Sequence, residues 1–415
     1  MAAVAPAGNG KTSRALRARR GIVRRYEAWG SRHRDSSRPL LWIHAPSVGE
    51  GLQAEPVIEL YRARHPETQV VYTFFSPSAE RFANGVNADF HDYLPFDSAH
   101  EMKRAVAALS PSAIVFSKLD VWPVLVECAA RRIVKLGMLS ATMPASSLRH
   151  SAFARLVLHD AYASLNVVGA VSDPDALRLM EAGVQPERII VTGDTRYDQA
   201  WIKAESETPE RSALLRPLRT GRFTMVAGST WPSDEKRLLP AWNDVRKRHP
   251  NVRLVIAPHE ISEKHLDSIQ VWARDNALSA ARLDDASVSS ADVIIVSRYG
   301  ALGDLYALAD IAYVGGGFRR AGLHSLLEPA AFGVPVIIGP RHADNRDARL
   351  LVVAGGAFRC RDSGAIASQI MRWVDSPVAL SRARDAARET VRAGLGAAER
   401  SFELVEGLVG ARAIE

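Results

Sequence analysis

The sequence predicts an α/β protein made of two doubly wound, Rossmann-like domains, and three observations carry that prediction. At 415 residues the chain is too long for one comfortable core and suits two domains of roughly 200 residues each. From residue 40 onward, short apolar β-rich runs alternate with helix-length amphipathic stretches, the signature of βαβ units around a parallel sheet. The alternation stops over 203–221, "KAESETPERSALLRPLRTG", where charge is mixed and two prolines intervene, and then it starts afresh.

In the first series the predicted strands are "LLWIHA" (40–45), "VVYTFF" (70–75), "AIVFS" (113–117), "IVKLGML" (133–139), "VVGAVS" (167–172) and "RIIVTGD" (188–194). Helices are predicted over 51–65, 78–88, 121–132 and from Pro174 to Ala182, the last closed by Gly183. The second series runs "FTMVAGS" (223–229), helix 233–248, "VRLVIAP" (252–258), helix 263–276, "DVIIVS" (292–297), helix 302–309, "IAYVGGG" (311–317) and "VPVIIGP" (334–340). Residues 363–412 are rich in Ala, Arg and Glu and read as helical, crossing back onto the first domain. The implied division is a basic N-terminal segment (1–38), a first domain (39–205), a second domain (220–376) and a C-terminal helical segment (377–415).

Composition narrows the class. Hydrophobic content of 47% and charged content of 24% fit a folded globular chain. Cys128 and Cys360 are too few and too far apart for a disulfide framework or a zinc site, which fits a reducing compartment. The net charge is +7 with a pI near 9.5, and the excess is concentrated. Lys11, Arg14, Arg17, Arg19, Arg20, Arg24 and Arg25 occur without an intervening acid, interspersed with Leu16, Ile22 and Val23 and followed by Tyr26 and Trp29. That pattern reads either as a short basic helix lying on an anionic membrane surface or as a solvated tail. No apolar run reaches the roughly 18 residues of a membrane span, and no signal-peptide core follows the N-terminus, so a cytoplasmic location is expected. Aromatic platforms are absent around the basic cluster, which argues against nucleic acid. "GNGKT" (Gly8 to Thr12) is a decoy for a phosphate loop, because the first glycine of that motif would fall at Ala5 and no strand precedes it.

The candidate site residues lie where strands give way to helices, at the end of the sheet where parallel α/β folds bind ligands. "WIHAPSVGE" (42–50) ends an apolar strand in a glycine and a carboxylate, Glu50. "AGSTWPSDE" (227–235) places Gly228, Ser229 and Thr230 before a helix, a turn whose backbone N–H groups suit a phosphate. Three consecutive glycines in "YVGGGFRRAGLHSLLEP" (313–329), Gly316 and Gly317 among them, point to a close backbone approach. A helix expected from Leu323 carries Glu328, a carboxylate able to accept from both hydroxyls of a ribose. Simpler readings exist for each: a capped turn at 228–230, a helix-dipole acid at Glu50, a structural partner at Glu328. His44, His259, His324 and His342 form no metal-ligand spacing.

Taken in order, "WIHAPSVGE", "DVWP" (120–123), "TGDTRYD" (192–198), "AGSTWPSDE", "APHE" (257–260), "GALGDLYALADIAYVGGG" (300–317) and "LHSLLEPAAFGVPVIIGP" (323–340) resemble the Kdo transferases, GT-B glycosyltransferases acting on 3-deoxy-D-manno-octulosonic acid (Kdo). The resemblance spans about residues 20 to 360. It implies two facing Rossmann-like domains with a deep cleft, an acceptor-binding first domain, a CMP-sugar-binding second domain and no metal or other cofactor. It also implies inverting transfer of Kdo from CMP-Kdo to the lipid A precursor, lipid IVA, in lipopolysaccharide core biosynthesis. The enzyme would sit peripherally on the cytoplasmic face of the inner membrane. Glu50 matches the family's general base, with Asp120 the next candidate, and Ser47, Gly49 and Lys118 fall at acceptor-side positions. Gly228, Ser229, Thr230, His259, Glu260, Gly300, Leu302, Gly303, Gly316, Gly317, His324, Ser325 and Glu328 fall at donor-side positions.

Departures accompany the match. Lys118 stands where the family's "ETELWP" has its first acid, Ser325 stands where "GGHNPLEP" has an amide, and the family's N-terminal anchoring helix is replaced at most by the basic segment. The arginine of the family's "RHPE" loop is replaced by Pro258 or lost. The competing readings are another GT-B transferase or epimerase using a UDP-sugar, and a catalytically altered lipid-binding protein, since fold alone does not determine function.

Overall fold

A computed structural model describes residues 11–144, 147, 149, 151–206, 212–320 and 322–410. The start of the "GNGKT" run, residues 8–10, lies outside them. The chain forms two compact units, Met1–Asp198 with Leu395–Glu415, and Gln199–Gly394.

The first unit holds seven parallel strands: β1 (Leu40–His44), β2 (Gln69–Phe74), β3 (Phe90–Tyr93), β4 (Ala113–Ser117), β5 (Lys135–Ala141), β6 (Val167–Ala170) and β7 (Ile189–Val191). Their order is β3-β2-β1-β4-β5-β6-β7, so the winding reverses between β1 and β4. The second unit repeats the plan with β8 (Thr224–Thr230), β9 (Arg253–Pro258), β10 (Ala280–Arg282), β11 (Val293–Ile295), β12 (Ile311–Val314), β13 (Val336–Ile338) and β14 (Ala357–Arg359). Here the order is β10-β11-β9-β8-β12-β13-β14, and the reversal falls between β8 and β12. Every residue of β1, β4, β12 and β13 is buried, as strands covered by helices on both faces must be, and that burial explains their unbroken apolar runs.

The strands without a counterpart in the sequence reading are β3, β10 and β14, and each lies at the edge of a sheet. An edge strand is covered less completely, so "FHDY" in β3 needs no apolar run and shows the mixed burial expected of a border. The helix expected from Leu323 is shorter than predicted. It spans Leu327–Ala331, and a loop precedes it.

Residues 11–38 form no separate segment. Helices Lys11–Ala18 and Ile22–His33 join at Gly21, whose φ of 66° turns the chain between them. Ile22, Val23 and Tyr26 enter the first core, and the Tyr26 hydroxyl donates to Tyr93 O at 2.8 Å. Arg19 is buried, donates to Leu94 O and Phe75 O at 2.8 and 2.9 Å, and lies over the Phe75 ring. Arg25 pairs with Asp92 at 2.6 Å. Most of the apolar residues expected to face lipid, Ile22, Val23 and Tyr26, are therefore consumed by the core, with Trp29 packed against it, which leaves Arg17, Arg20 and Arg24 exposed.

The C-terminal stretch divides as well. Helix Pro377–Arg392 belongs to the second unit and packs against Leu327–Ala331 and Arg346–Ala354. Helix Ala397–Gly410 belongs to the first, packs against helix Val48–Arg64 and β5, and buries Phe402. Asp198 secures its start by accepting from Gly396 N at 2.7 Å and Ala398 N at 2.9 Å. The boundary accordingly falls after Asp198 and not at 205. Among the described residues no helix is long and apolar enough to cross a membrane.

Candidate functional site

In each unit predicted residues follow the carboxyl ends of strands at or near the reversal, where ligands bind in such folds. In the first unit these are β1, which runs into Ser47–Glu50, and β4, which runs into Lys118.

Helix Val48–Arg64 begins after Ser47. Ser and Glu three residues apart at a helix start could form a capping box, but Ser47 makes no side-chain cap. Its hydroxyl instead donates to Glu50 Oε2. Lys118 Nζ lies 3.0 Å from Glu50 Oε1, and the Ser117 hydroxyl donates to Glu50 O at 2.8 Å. Lys118 holds a left-handed φ of 72°, an unusual conformation for a side-chain-bearing residue. Its N–H donates to Leu139 O at 2.8 Å. Partial burial pushes the Glu50 carboxyl up, but the Ser47 hydroxyl and the Lys118 ammonium outweigh it and hold the group below the usual carboxylate range. Glu50 is thus an oriented, ionised acceptor. Gly51 beside it is required sterically, because a Cβ there would meet the Phe82 ring at 2.4 Å and the Tyr72 hydroxyl at 2.7 Å.

Asp120 does not join this cluster through any hydrogen bond or ion pair shown; its carboxylate is paired with Arg149. The "TGDTRYD" motif holds the helix that carries Glu50. Buried Asp194 accepts from Gln53 of that helix at 3.2 Å and from Arg196 at 2.6 Å, and the Thr195 hydroxyl donates to Gln53 O at 2.6 Å. His44, at the end of β1, is fully buried with Nδ1 3.0 Å from the Thr73 hydroxyl and Nε2 without a partner. Burial pushes its pKa down to about 3, so it is neutral at pH 7.

In the second unit the turn after β8 is built differently from the phosphate seat expected of it. Thr230 is fully buried and its hydroxyl donates to Glu235 at 2.7 Å; Glu235 in turn contacts His265 Nε2 at 2.8 Å. Buried Asp234 accepts from Trp231 N at 3.1 Å, Gly316 N at 3.0 Å and the Tyr313 hydroxyl at 3.0 Å. A carboxylate therefore already caps this helix start through Trp231 N and Gly316 N, which leaves the N–H groups of Gly228, Ser229 and Thr230 outside its bonds. Ser229, left-handed at φ 51° and half-buried, is the residue of the turn that remains open.

The three glycines do serve close approach, but to the protein's own backbone. A Cβ on Gly315 would sit 2.1 Å from Ser229 O, one on Gly316 2.2 Å from Gly322 O, and one on Gly317 2.6 Å from Gly339 N. Gly228 likewise makes room for the Tyr306 hydroxyl and for Leu302.

Two side-chain groups result. His259 stacks between Trp231 and His324, with ring centroids 4.5 and 4.3 Å apart, and the Arg319 guanidinium covers the Trp231 ring at 3.5 Å. Burial, reinforced by His259, lowers the His324 pKa to about 4. Trp231 was not singled out as a site residue by sequence, because nothing in "STWPSDE" marks a stack made across strands. The second group is Glu328 with Gly303, Lys203 and Asp304. Lys203 pairs with Asp304 at 3.0 Å, and Gly303 leaves room for Lys203 and for Glu328 Oε2. Burial raises the Glu328 carboxyl above its usual range, with Lys203 opposing and Asp304 adding to the shift. Its carboxylate takes no hydrogen bond among the described residues. Gly300 turns its loop at φ 91°, while Ser325 and Glu260 are exposed. Among the described residues no group of three or more His, Cys, Asp or Glu side chains is arranged to hold a metal ion.

Residues 15–199 match the family model described as 3-deoxy-D-manno-octulosonic-acid transferase (kdotransferase). The chain is similar to the Kdo transferases over most of its length. The 3-deoxy-D-manno-octulosonic acid transferase of Bordetella pertussis is 28% identical over 382 residues, covering 89% of this chain and 87% of that protein. Its counterpart in Chlamydophila psittaci is 29% identical over 349 residues, covering 82% and 78%. Among solved structures, UDP-GlcNAc 2-epimerase from Neisseria meningitidis bound to UDP-GlcNAc superposes with a TM-score of 0.63 at 15% identity, covering 89% of this chain and all of that one. A glycosyltransferase from Rickettsia africae superposes at 0.57 with 13% identity, covering 90% and 99%. At such identities these structures establish the GT-B type of α/β fold for this chain, and nothing more specific.

Proposed function

We propose that the chain is an inverting glycosyltransferase that moves Kdo from CMP-Kdo to the lipid A precursor, lipid IVA, in lipopolysaccharide synthesis. The observation that carries the mechanism is the Glu50 carboxylate, ionised and aimed by Ser47 and Lys118 at the carboxyl end of β1. In this reading Glu50 takes the proton from an acceptor hydroxyl as that oxygen attacks the anomeric carbon of Kdo. The bond from that carbon to the phosphate oxygen breaks on the opposite face, and CMP leaves with the electron pair. A single displacement of this kind inverts the anomeric centre. Glu328, without a hydrogen bond of its own, accepts from the ribose hydroxyls of CMP. The Trp231–His259–His324 stack and Ser229 line the donor side. No metal or other cofactor is part of the scheme.

Arg17, Arg20 and Arg24, exposed on the N-terminal helices, supply charge for an anionic membrane surface, which supports a peripheral position on the cytoplasmic face of the inner membrane. The test is incubation with CMP-Kdo and lipid IVA followed by mass analysis of the lipid. A mass increase of one or more Kdo residues is expected. No increase, together with thermal stabilisation by UDP and none by CMP, would replace this reading with a UDP-sugar enzyme on the same fold.

A further inference from the structure

In the second sheet β12 and β13 pair in parallel register and end side by side, Val314 opposite Ile338. The turns that follow are packed backbone to backbone: Gly317 fits against Gly339, and Arg341 N donates to Gly317 O at 3.0 Å. Beside that contact opens a cavity of about 580 Å³, lined in part by Arg319, Arg320, Arg341, His342, Asp344 and Asn345. Helix Arg346–Ala354 starts at its rim, with Asn345 as its cap.

The charge here is unbalanced. Three guanidinium groups face one carboxylate, and among the described residues none of the three arginines has an ion pair. By contrast, Arg222 pairs with Asp292 and Arg282 with Glu263 in the same unit. Arg319 is held by its stack on Trp231, and among the described residues its buried Nη1 has no acceptor. A buried donor left unmade is costly, and a native structure rarely keeps one without a use for it.

We propose that this cavity is an oxyanion site that holds a carboxylate or phosphate group of the sugar-bearing ligand. Guanidinium forks match both groups with two parallel hydrogen bonds, and the positive end of the nearby helix adds to the field. The cavity is of the size that small molecules occupy, far larger than a bare anion, so the anionic group arrives as part of a larger ligand. Arg319 joins this site to the His259–His324 stack, since one guanidinium borders both. The proposal rests on the transferase reading for the identity of its ligand, whose candidate groups are the carboxylate of Kdo and a phosphate.

The test is calorimetric titration of the full chain, at low salt and without phosphate buffer, with free Kdo, with CMP and with inorganic phosphate. Each is repeated on the double variant R320Q/R341Q and on a charge-matched control, R17Q/R24Q. Loss of a charge-assisted hydrogen bond predicts at least a roughly 10-fold weaker affinity for the occupant in R320Q/R341Q and none in the control. Weakening confined to Kdo identifies the carboxylate; weakening of CMP and phosphate identifies a phosphate. Equal affinities in wild type and R320Q/R341Q, equal losses in the control, or no binding of any of the three by wild type would each overturn the site. Because the readout is heat of binding, a wild-type protein that binds these anions but transfers no Kdo would sink the transferase reading and leave this one standing.

Discussion

Glu50→Gln separates a catalytic carboxylate from one that only stabilises a helix. The substitution keeps shape and leaves Ser47 a hydrogen-bond partner, but it removes the charge that Lys118 faces at 3.0 Å. At that separation the Coulomb energy is about 1.4 kcal/mol at the dielectric of water and about 5.5 kcal/mol at an effective value of 20. The Lys118 side chain is 42% exposed, so solvent can replace its partner and the net loss falls to about 1 kcal/mol or less. For a unit of this size that is a shift of roughly 2–4 °C in melting temperature at most. Loss of a positioned base costs roughly 10²–10⁴-fold in rate. The assay is transfer of Kdo to lipid IVA, followed by mass, with the melting temperature and CMP affinity measured on the same preparation. At least a 100-fold fall in kcat with CMP affinity near wild type is expected. Near-normal turnover with a slightly lowered melting temperature would refute the base and leave Glu50 as an acid serving the helix dipole. Lys118→Met supplies the pH arm. Removing the ammonium lets burial dominate, so the Glu50 pKa rises and the acid limb of kcat/KM moves to higher pH; an unmoved limb would show that Lys118 does not tune this group.

Glu328→Gln should weaken CMP binding by roughly 10-fold, since hydrogen bonds to a charged acceptor are about twice as strong as neutral ones. It should also remove a stability cost. The folded carboxyl titrates above its unfolded value, so the wild type loses stability as pH rises through that folded pKa, and the variant's denaturation midpoint should not decline over the same range; unchanged CMP affinity by calorimetry would make the carboxylate structural. His44 and His324 are buried neutral with pKa near 3 and 4, against about 6.5 in an unfolded chain. The stability they lend is complete above pH 6.5 and is lost as pH falls, for His44 alone by roughly 3 kcal/mol at pH 4, and a denaturant midpoint that stays flat from pH 7 to 4 would contradict this. Gly315→Ala should destabilise the second unit by roughly 1–3 kcal/mol, because the new Cβ must push Ser229 O away from 2.1 Å. An unaltered unfolding midpoint would show that the turn yields freely.

The central strands were legible because burial on both faces forces an unbroken apolar run, as in "LLWIH" and "AIVFS". The edge strands β3, β10 and β14 were not, because a sheet border tolerates polar residues and their pairing partners lie in distant sequence. The N-terminal helices misled for a related reason. An amphipathic basic pattern looks the same whether its apolar stripe meets lipid or a neighbouring sheet, and only the packing of Tyr26 and Arg19 shows that it meets the sheet.

The sequence by itself determined the fold class, the family resemblance and the positions after strands where chemistry can sit, since these follow from local periodicity and from motif order. What the tertiary structure decided is which side chains reach one another. Glu50 meets Lys118 across 68 positions of sequence, while Asp120 turns to Arg149. The glycines of "GGG" accommodate the chain's own backbone, and Asp234 caps the turn that sequence had offered to a phosphate. Trp231, His259, His324 and Arg319 come from three separate turns, and no spacing rule connects them. Such groupings depend on distances of 3 to 5 Å between strand ends, and those distances are set by sheet order and helix packing, which no short window of sequence contains.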